Sequence, residues 1–443
     1  MRLYTQIALL CVGLSLFPML SKAQTAPDTS PQELTLEQCI NFALQNRPAV
    51  KQANLDVEIN ERDIQVQLAD WYPQIAAVGV YNRNLKLQYT AFGDQVIPVG
   101  RKNTSSLMGQ VTQNLFTNDL RLATNTARYI RLGAEQNVKN IKISTVVEVS
   151  KAFYDLLFTQ EQLRTLDEAI IRLEKQQKDA YAQYQNGLVD ITDYQRATIN
   201  LNSTRSDRKR ADEATRAKLS YLKQVMGYEP DRPLNVNIDR AQMEQGLIAD
   251  TLQGVLYANR IEFQQLQTQK QLQKLNIDYY KYGFLPTVTA AYNYNFMYLN
   301  NSFSDLYKDA FPSSTATLNV SIPIFQGRRR IHNLRREQLE DQRLDLDIFN
   351  LKSTIHTEYN NALANYKSDL NEWNATKQNL TLAQDVYRII KLQYDEGIKA
   401  YLEVITAETD LRTTQLNYYN ALYNVLASKL DLDRAQGNII VNQ

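Results

Sequence analysis

The sequence has few of the residues that build disulfides and metal sites. Its 443 residues include two cysteines and two histidines, and Cys11 lies inside an amino-terminal export signal, so the mature chain keeps Cys39 alone. One cysteine cannot form an internal disulfide, and no group of cysteines and histidines has metal-site spacing. The position of Cys11 in the middle of the signal also argues against a lipid-anchoring cysteine. We therefore expect no metal site and no cofactor.

Long apolar runs are also missing. After the signal, no stretch reaches the roughly 20 consecutive apolar residues of a membrane-spanning helix, so a helical membrane protein is not predicted. The signal itself consists of Arg2, an apolar run over residues 7–17, and Ser21-Lys22-Ala23 before Gln24. This pattern indicates a signal peptide over residues 1–23. We expect the mature chain to be exported.

Neither sign of charge is in excess. The 49 basic and 48 acidic residues give a net charge of +1, so overall charge indicates neither a nucleic-acid partner nor an acidic membrane surface. No phosphate-binding loop, nucleophile motif or paired-carboxylate arrangement is present, so we expect no enzyme. Glycine is scarce, with 14 residues, whereas tyrosine is frequent, with 27. This mixture indicates a mostly helical protein with its aromatic residues concentrated in particular places.

One stretch of the sequence occurs twice. Residues 183–197 and 393–407, which are 210 residues apart, carry Gln, Tyr, Gly, an aliphatic residue and an acid at the same offsets. Long runs without proline flank both copies, so Gly187 and Gly397 are the natural places for a helix to end in a left-handed residue. Each copy predicts the tip of a long helical hairpin, over residues 184–193 and 394–403.

Alternating apolar and polar residues predict two strand hairpins. The predicted strands cover about 75–89 and 107–116 in the first half, and about 287–299 and 315–325 in the second. One face of each strand is apolar and aromatic, and a length of about 9 to 11 residues suits a strand that crosses a bilayer. Because four strands leave open edges, several chains must share one barrel: two chains would supply eight strands and three would supply twelve.

The two halves indicate a tandem duplication. Pro286 matches Pro73, and Tyr294-Asn295 matches Tyr81-Asn82, at one offset. The expected boundaries are a leader and short helix over 24–47, a first repeat over 48–230, a linker over 231–258 and a second repeat over 259–443. At about 1.5 Å per residue, a helix over 119–186 would be roughly 100 Å long.

Two motifs give the chain a family resemblance. Ser321-Ile-Pro-Ile-Phe-Gln-Gly327 ends the last strand, and Asn186-Gly-Leu-Val-Asp-Ile-Thr-Asp193 forms the first tip. With the duplicated plan, they make the whole mature chain resemble the TolC-like outer-membrane efflux proteins. The resemblance implies a mainly α protein with a membrane β-barrel. It implies a homotrimer whose twelve-stranded barrel in the outer membrane continues into a twelve-helix α-barrel across the periplasm.

The resemblance also implies a function and partners. The chain would be the exit duct of a tripartite efflux or type I secretion system, in contact with outer-membrane lipid. An inner-membrane pump of the RND or ABC type would deliver drugs, toxins or proteins through a periplasmic adaptor. Substrate choice is expected to lie in the pump, because a water-filled duct has little need of a binding pocket.

In this family the helix tips close like an iris, and the resemblance assigns the gate to five residues: Thr192, Asp193, Tyr394, Lys399 and Glu403. We expect the Asp193 carboxylate to accept a hydrogen bond from the Tyr394 hydroxyl, and Lys399 to add a charge-assisted bond. Glu403 matches a position that lines the closed constriction with carboxylates. One helical turn later the chain departs from the family pattern, with Thr406 in place of a second acid.

The tips also resemble the grooves that receive the adaptor. The residues concerned are Asn186, Gly187, Leu188, Glu396, Gly397 and Ile398. Glycine permits close backbone approach, and the aliphatic residue after it offers a small apolar anchor. Plain helix capping would explain the glycine but not the repeated aliphatic residue.

Alternative readings remain open from the sequence. The strands could pack a small β-domain of a soluble exported protein, or the chain could be a non-conducting coiled-coil spacer or adhesin. A cluster of five arginines follows the last strand: Arg328, Arg329, Arg330, Arg335 and Arg336. They could form a solvated collar at the periplasmic membrane face, within reach of lipid phosphates, or a basic ring inside the duct.

Overall fold

The computed structural model describes residues 32–236, 243–244, 246–247, 249 and 254–441. The predicted signal peptide over 1–23, residues 24–31 of the predicted leader and much of the predicted linker over 231–258 lie outside the described residues.

Helices make up most of the described chain. Their bounds are α1 Leu36–Asn46, α2 Pro48–Leu68, α3 Asn118–Gln185, α4 Ile191–Met226, α5 Ile261–Lys281, α6 Arg329–Asp395 and α7 Tyr401–Gln436. The strands are β1 Gln32–Leu34, β2 Gln74–Arg83, β3 Gln88–Phe92, β4 Gln95–Val99, β5 Asn103–Phe116, β6 Leu234–Val236, β7 Thr287–Asn300 and β8 Ala310–Ser321. No helix within these described ranges combines the length and apolarity needed to cross a membrane.

The first two helices begin where their capping residues predict. The Thr35 and Gln38 side chains each bond the other residue's backbone N–H, which satisfies two of the donors that every helix start leaves free. Pro48 is the first residue of α2, where its missing N–H costs nothing. The local sequence therefore determines both starts.

The two long helices run without interruption to the repeated glycines. α3 has 68 residues and α6 has 67, so each is about 100 Å long. Gly187, with φ 70°, and Gly397, with φ 76°, end them in the left-handed conformation. The predicted pair of long helical hairpins, α3 with α4 and α6 with α7, is confirmed.

Apolar packing joins α1 to the first hairpin midway along its length. Cys39 of α1 is buried with Phe153 and Leu156 of α3 and Met226 of α4. A fully buried side chain of this size contributes about 1.5–3 kcal/mol. A second apolar cluster, around Tyr366, holds α6 to α7.

The short helices stack end to end beside the long ones. Gly227, just after α4, lies so close to Asn46 and Arg47, just before α2, that a Cβ on it would stand 2.8 Å from the Arg47 Cα. The second repeat has the same junction, with Gly437 after α7 packed on Asn259 before α5. Because α2 and α4 both pack on α3, the pair covers the long helix almost from end to end.

Four strands form one antiparallel sheet in the order β2-β5-β7-β8. Residues in register share a face, and one such row is apolar: Ile75, Val111, Tyr292 and Ala316. The next row, on the opposite face, is mainly polar: Ala76, Gln110, Asn293 and Thr315. The predicted alternation is therefore present, and both sheet edges, β2 and β8, have one partner each.

Four strand boundaries differ from the predicted ones, and one of them is the start of β8, at Ala310 rather than near residue 315. β2 ends at Arg83 rather than near residue 89, because the Asn84 N–H and side chain bond the carbonyls of Lys102 and Arg101 and close the ladder. Tyr89 belongs instead to a separate small hairpin, β3–β4, and β5 begins at residue 103 rather than near residue 107. β8 ends at Ser321, before Pro323, which has no N–H for a ladder.

The glycine junction gives a stability prediction. Gly227→Ala should lower the thermal unfolding midpoint more than Gly187→Ala does. Both substitutions force a side chain into a left-handed conformation, at about 1 kcal/mol each, but only the Cβ at 227 meets backbone atoms. Far-UV circular dichroism during heating measures both midpoints, and equal losses would contradict the close-packed junction.

Candidate functional site

The two hairpin tips have the same backbone geometry. In the first, the N–H groups of Gly187 and Leu188 donate to the carbonyls of Tyr184 and Gln183, both at 2.9 Å. In the second, Gly397 and Ile398 bond the equivalent carbonyls of Tyr394 and Gln393 at 2.9 and 2.8 Å. These bonds satisfy the last carbonyls of each long helix and turn the next side chain outward. Leu188 is 74% exposed and Ile398 is 71% exposed.

The return helices start differently in the two tips. The Asp190 carboxylate accepts the Thr192 N–H at 2.8 Å and caps α4, and this hydrogen bonding lowers the pKa of Asp190. The equivalent residue in the second tip is Ala400, which offers no cap. Instead, Lys399 forms an ion pair of 2.6 Å with Glu403 in the first turn of α7.

Tyrosines pack the two hairpins together just above the tips. Tyr401 is buried with Ala180 and Ala197, and Tyr194 and Tyr394 close around them. The ring centroids of Tyr394 and Tyr401 lie 5.8 Å apart. Burial, with a smaller contribution from Asp193, raises the pKa of both phenols, so both hydroxyls stay protonated at neutral pH and can donate.

The contacts predicted among the gate residues are not those formed within the chain. The Tyr394 hydroxyl donates to the Gln183 Oε1 atom at 2.9 Å rather than to Asp193, and Lys399 pairs with Glu403. Within the second hairpin, α7 packs extensively on α3, which carries Gln183, and only slightly on α4, which carries Asp193. The described part of the chain gives the Asp193 carboxylate no hydrogen-bond or ion-pair partner.

Sequence reasoning missed Gln183 and Tyr401. Gln183 is the first residue of the repeated stretch, and this position in the repeat could have identified it as a candidate site residue. Tyr401 has no such signal, because the equivalent residue in the first copy is Ile191.

Further from the tips, a buried ion pair connects the hairpins. The Arg172 Nε atom of α3 donates to both carboxylate oxygens of Glu408 on α7, at 3.0 and 3.1 Å. Glu408 is 1% exposed, and the Tyr387 ring of α6 lies against the guanidinium. The sequence alone did not single out this pair, since charged residues on long amphipathic helices are usually solvated.

Further polar contacts lie elsewhere between the hairpins. Lys151 of α3 pairs with Asp431 of α7 at 2.7 Å, and Arg412 of α7 donates to the Thr204 hydroxyl of α4 at 2.5 Å. Across the described ranges, no group of three or more His, Cys, Asp or Glu side chains could hold a metal ion. The chemistry of this region is therefore that of helix-to-helix contact.

Comparison with known proteins gives one consistent result. The model of the outer membrane efflux protein family matches residues 39–228 and 253–438. The probable outer membrane lipoprotein SilC of Salmonella typhimurium is 23% identical, over 90% of this chain and 84% of its own length. The toluene efflux pump outer membrane protein TtgC of Pseudomonas putida is 21% identical, over 91% of this chain and 82% of its own length. A crystal structure of CusC has a TM-score of 0.74 at 20% identity, covering 94% of this chain and 95% of that one.

The buried ion pair gives a second prediction. Arg172→Leu should destabilise the protein by about 3 kcal/mol, because it leaves the Glu408 carboxylate buried without its cation. The double variant R172L/E408L should recover most of this loss, since it removes the buried charge as well. Thermal unfolding of the purified protein measures both.

Arg388→Leu is the matched control, because its partner Asp385 forms an exposed pair on α6 that contributes about 0–1 kcal/mol. If R172L and R388L had equal effects, the buried pair would not hold the hairpins together.

Proposed function

The chain belongs to the outer membrane efflux protein family, and we propose that it is the exit duct of a tripartite efflux or type I secretion system. It is an outer membrane protein. The observation that carries the proposal is a four-stranded sheet, open at both edges, continuous with two helical hairpins about 100 Å long. Such a chain suits a conduit that begins in the membrane and extends far below it.

The open edges support a closed trimer. β2 and β8 each have one partner in the chain, and every residue of both strands is exposed. In hydrocarbon, an unpaired backbone group costs several kcal/mol, so β8 of one chain should pair with β2 of the next. Two copies would close eight strands around a space that side chains fill, whereas three would close twelve strands around a lumen.

The stacked helices support a twelve-helix barrel below the sheet. Each chain supplies the long helices α3 and α6 and two stacked pairs, α2 with α4 and α5 with α7. The glycine junctions make each pair nearly continuous, so one chain contributes four helical columns and three chains contribute twelve. This is the mainly α trimeric architecture that the resemblance implies.

The relatives' names support a passive duct rather than a selective one. TtgC is named for toluene efflux, and CusC of Escherichia coli O157:H7 for cation efflux. Proteins of one family with such different cargo fit a duct that does not select its cargo. We infer that an inner-membrane pump of the RND or ABC type chooses the small molecules or proteins and passes them through a periplasmic adaptor. The family match gives a non-conducting spacer or adhesin no support.

We place the gate at the tips, on Thr192, Asp193, Tyr394, Lys399 and Glu403. Tyr394 links the second hairpin to α3 through Gln183, and Lys399 is held beside Glu403. The Asp193 carboxylate, without a partner among the described residues of its own chain, is available to a neighbouring chain. Exposed pairs of this kind contribute about 0–1 kcal/mol each, so a gate built from them opens easily.

We propose that the adaptor docks in two equivalent grooves at the tips. Asn186, Gly187 and Leu188 form one, and Glu396, Gly397 and Ile398 form the other. No atom lies within 4 Å of a Cβ built on either glycine, so a partner backbone can approach closely there. The exposed Leu188 and Ile398 side chains supply an apolar anchor in each groove.

The duct itself is tested by mass and conductance. Protein extracted in detergent from outer membranes should have the mass of three mature chains and should conduct ions in planar bilayers. Recovery of the protein without detergent, as a monomer that does not conduct, would overturn the proposal.

The gate is tested by charge removal at the tips. D193A/K399A should raise single-channel conductance, because it removes an acid and a base from the proposed links. K209A/E213A is the matched control, since it removes an exposed pair within α4 about 25 Å from the tip. If the two double variants conducted alike, Asp193 and Lys399 would not belong to the gate.

A further inference from the structure

Among the residues that the structure describes, three adjacent arginines at the start of α6 have no acidic partner. The chain turns through Gly327 and Arg328, with φ of 58° and 64°, and α6 begins at Arg329. Within the described residues, Arg328, Arg329 and Arg330 form no ion pair, and the first turn of α6 has no acid. In the same arginine cluster, Arg336 is neutralised by Glu337 at 2.7 Å. Three positive charges therefore remain uncompensated in one place.

Aromatic rings contact Arg330 and two further cations close to it. The Arg330 guanidinium lies 5.5 Å from the Phe284 ring centroid. Arg121, just after the start of α3, lies 4.3 Å from the Tyr282 ring, and Lys281 lies 5.6 Å from that ring. Cations over aromatic faces keep their charge available to a further anion. We name the group Arg121, Lys281, Arg328, Arg329 and Arg330 the basic collar.

The basic collar lies where the apolar face of the sheet ends. Along β8, Leu318 and Val320 lie on the apolar face of the sheet, and Ile322 and Ile324 extend this apolar row past the end of the strand. Ile324 is 94% exposed. Three residues after Ile324 the chain reaches Gly327 and the arginines. Cations directly beyond an exposed apolar band, with aromatic rings at the boundary, are typical of the headgroup level of a membrane.

We propose that the basic collar is a binding surface for anionic phospholipid headgroups of the periplasmic leaflet. The proposal rests on the proposed placement of the sheet in the outer membrane. The phosphodiester accepts hydrogen bonds from the arginine guanidinium groups, and the acyl chains lie along the apolar row that ends at Ile324. Because the basic collar follows this apolar row, the proposal places the arginines on the lipid side rather than in the lumen.

Native mass spectrometry of the detergent-extracted trimer tests the proposal, with phosphatidylglycerol and phosphatidylcholine as probes. The wild type should retain phosphatidylglycerol in preference. R328Q/R329Q/R330Q should bind it about 100-fold more weakly, because each basic residue near an anionic surface contributes about fivefold. R328K/R329K/R330K keeps the charge and should retain most of the binding. High salt should weaken binding to the wild type, which tests the surface even if the glutamine variant does not fold.

Three outcomes would overturn the proposal. Equal retention of both lipids would show that the surface does not recognise the charge of the headgroup. Complete displacement of phosphatidylglycerol by inorganic phosphate would indicate a general anion site. A glutamine variant with unchanged lipid binding but increased cation selectivity in planar bilayers would place the arginines in the lumen. Wild-type conductance, measured in the same bilayers, reports separately on whether the protein is a duct.

Discussion

The hydrogen-bonding demand of the open sheet edges is the constraint on which the rest of the structure depends. β2 and β8 each leave a row of N–H and C=O groups without partners in the described part of the chain. Water could satisfy these groups, but the exposed apolar row on one face, with Ile75, Leu107 and Leu318 among its members, needs an apolar environment. The proposed assembly, in which another copy of the sheet covers each edge, meets both demands. In that assembly the helices below adopt the same symmetry as the strands.

The duplicated plan builds two long helical columns in one chain from shorter helices, α2 with α4 and α5 with α7. A single continuous helix beside α3 would leave no point midway along the hairpin at which the chain could enter or leave the column. Splitting the column into α2 and α4 lets the chain enter and leave midway along it, and β1, which precedes α1, pairs there with β6, which follows α4. The cost is a junction with no room for a side chain, which is why Gly227 and Gly437 stand at equivalent places in the two repeats.

Sequence reasoning succeeded where one local interaction determines the structure. Gly187 and Gly397 determine the ends of the long helices, because each acts within one turn of chain. The alternating residues likewise predicted which face of the sheet is apolar.

It failed where distant elements decide. Tyr394 bonds Gln183 rather than Asp193 because of how two hairpins lie against each other, and no spacing within either hairpin contains that information. Leu85 and Leu87 continue the alternation of β2 in sequence, yet Asn84 ends the ladder by bonding residues that lie seventeen and eighteen positions away.

The distribution of polar contacts along the hairpins bears on how the proposed gate would move. At the tips, Lys399 with Glu403 and Tyr394 with Gln183 are partly exposed, so water can replace either partner at small cost. Some fifteen residues higher on α3, Arg172 pairs with the buried Glu408, and separating the two would leave that carboxylate without solvent or cation. Separating the hairpins at their tips therefore costs much less free energy than separating them at the level of Arg172. In the proposed gate, the least costly motion would keep the hairpins together above Arg172 and bend the helices below it, as an iris at one end of the duct requires.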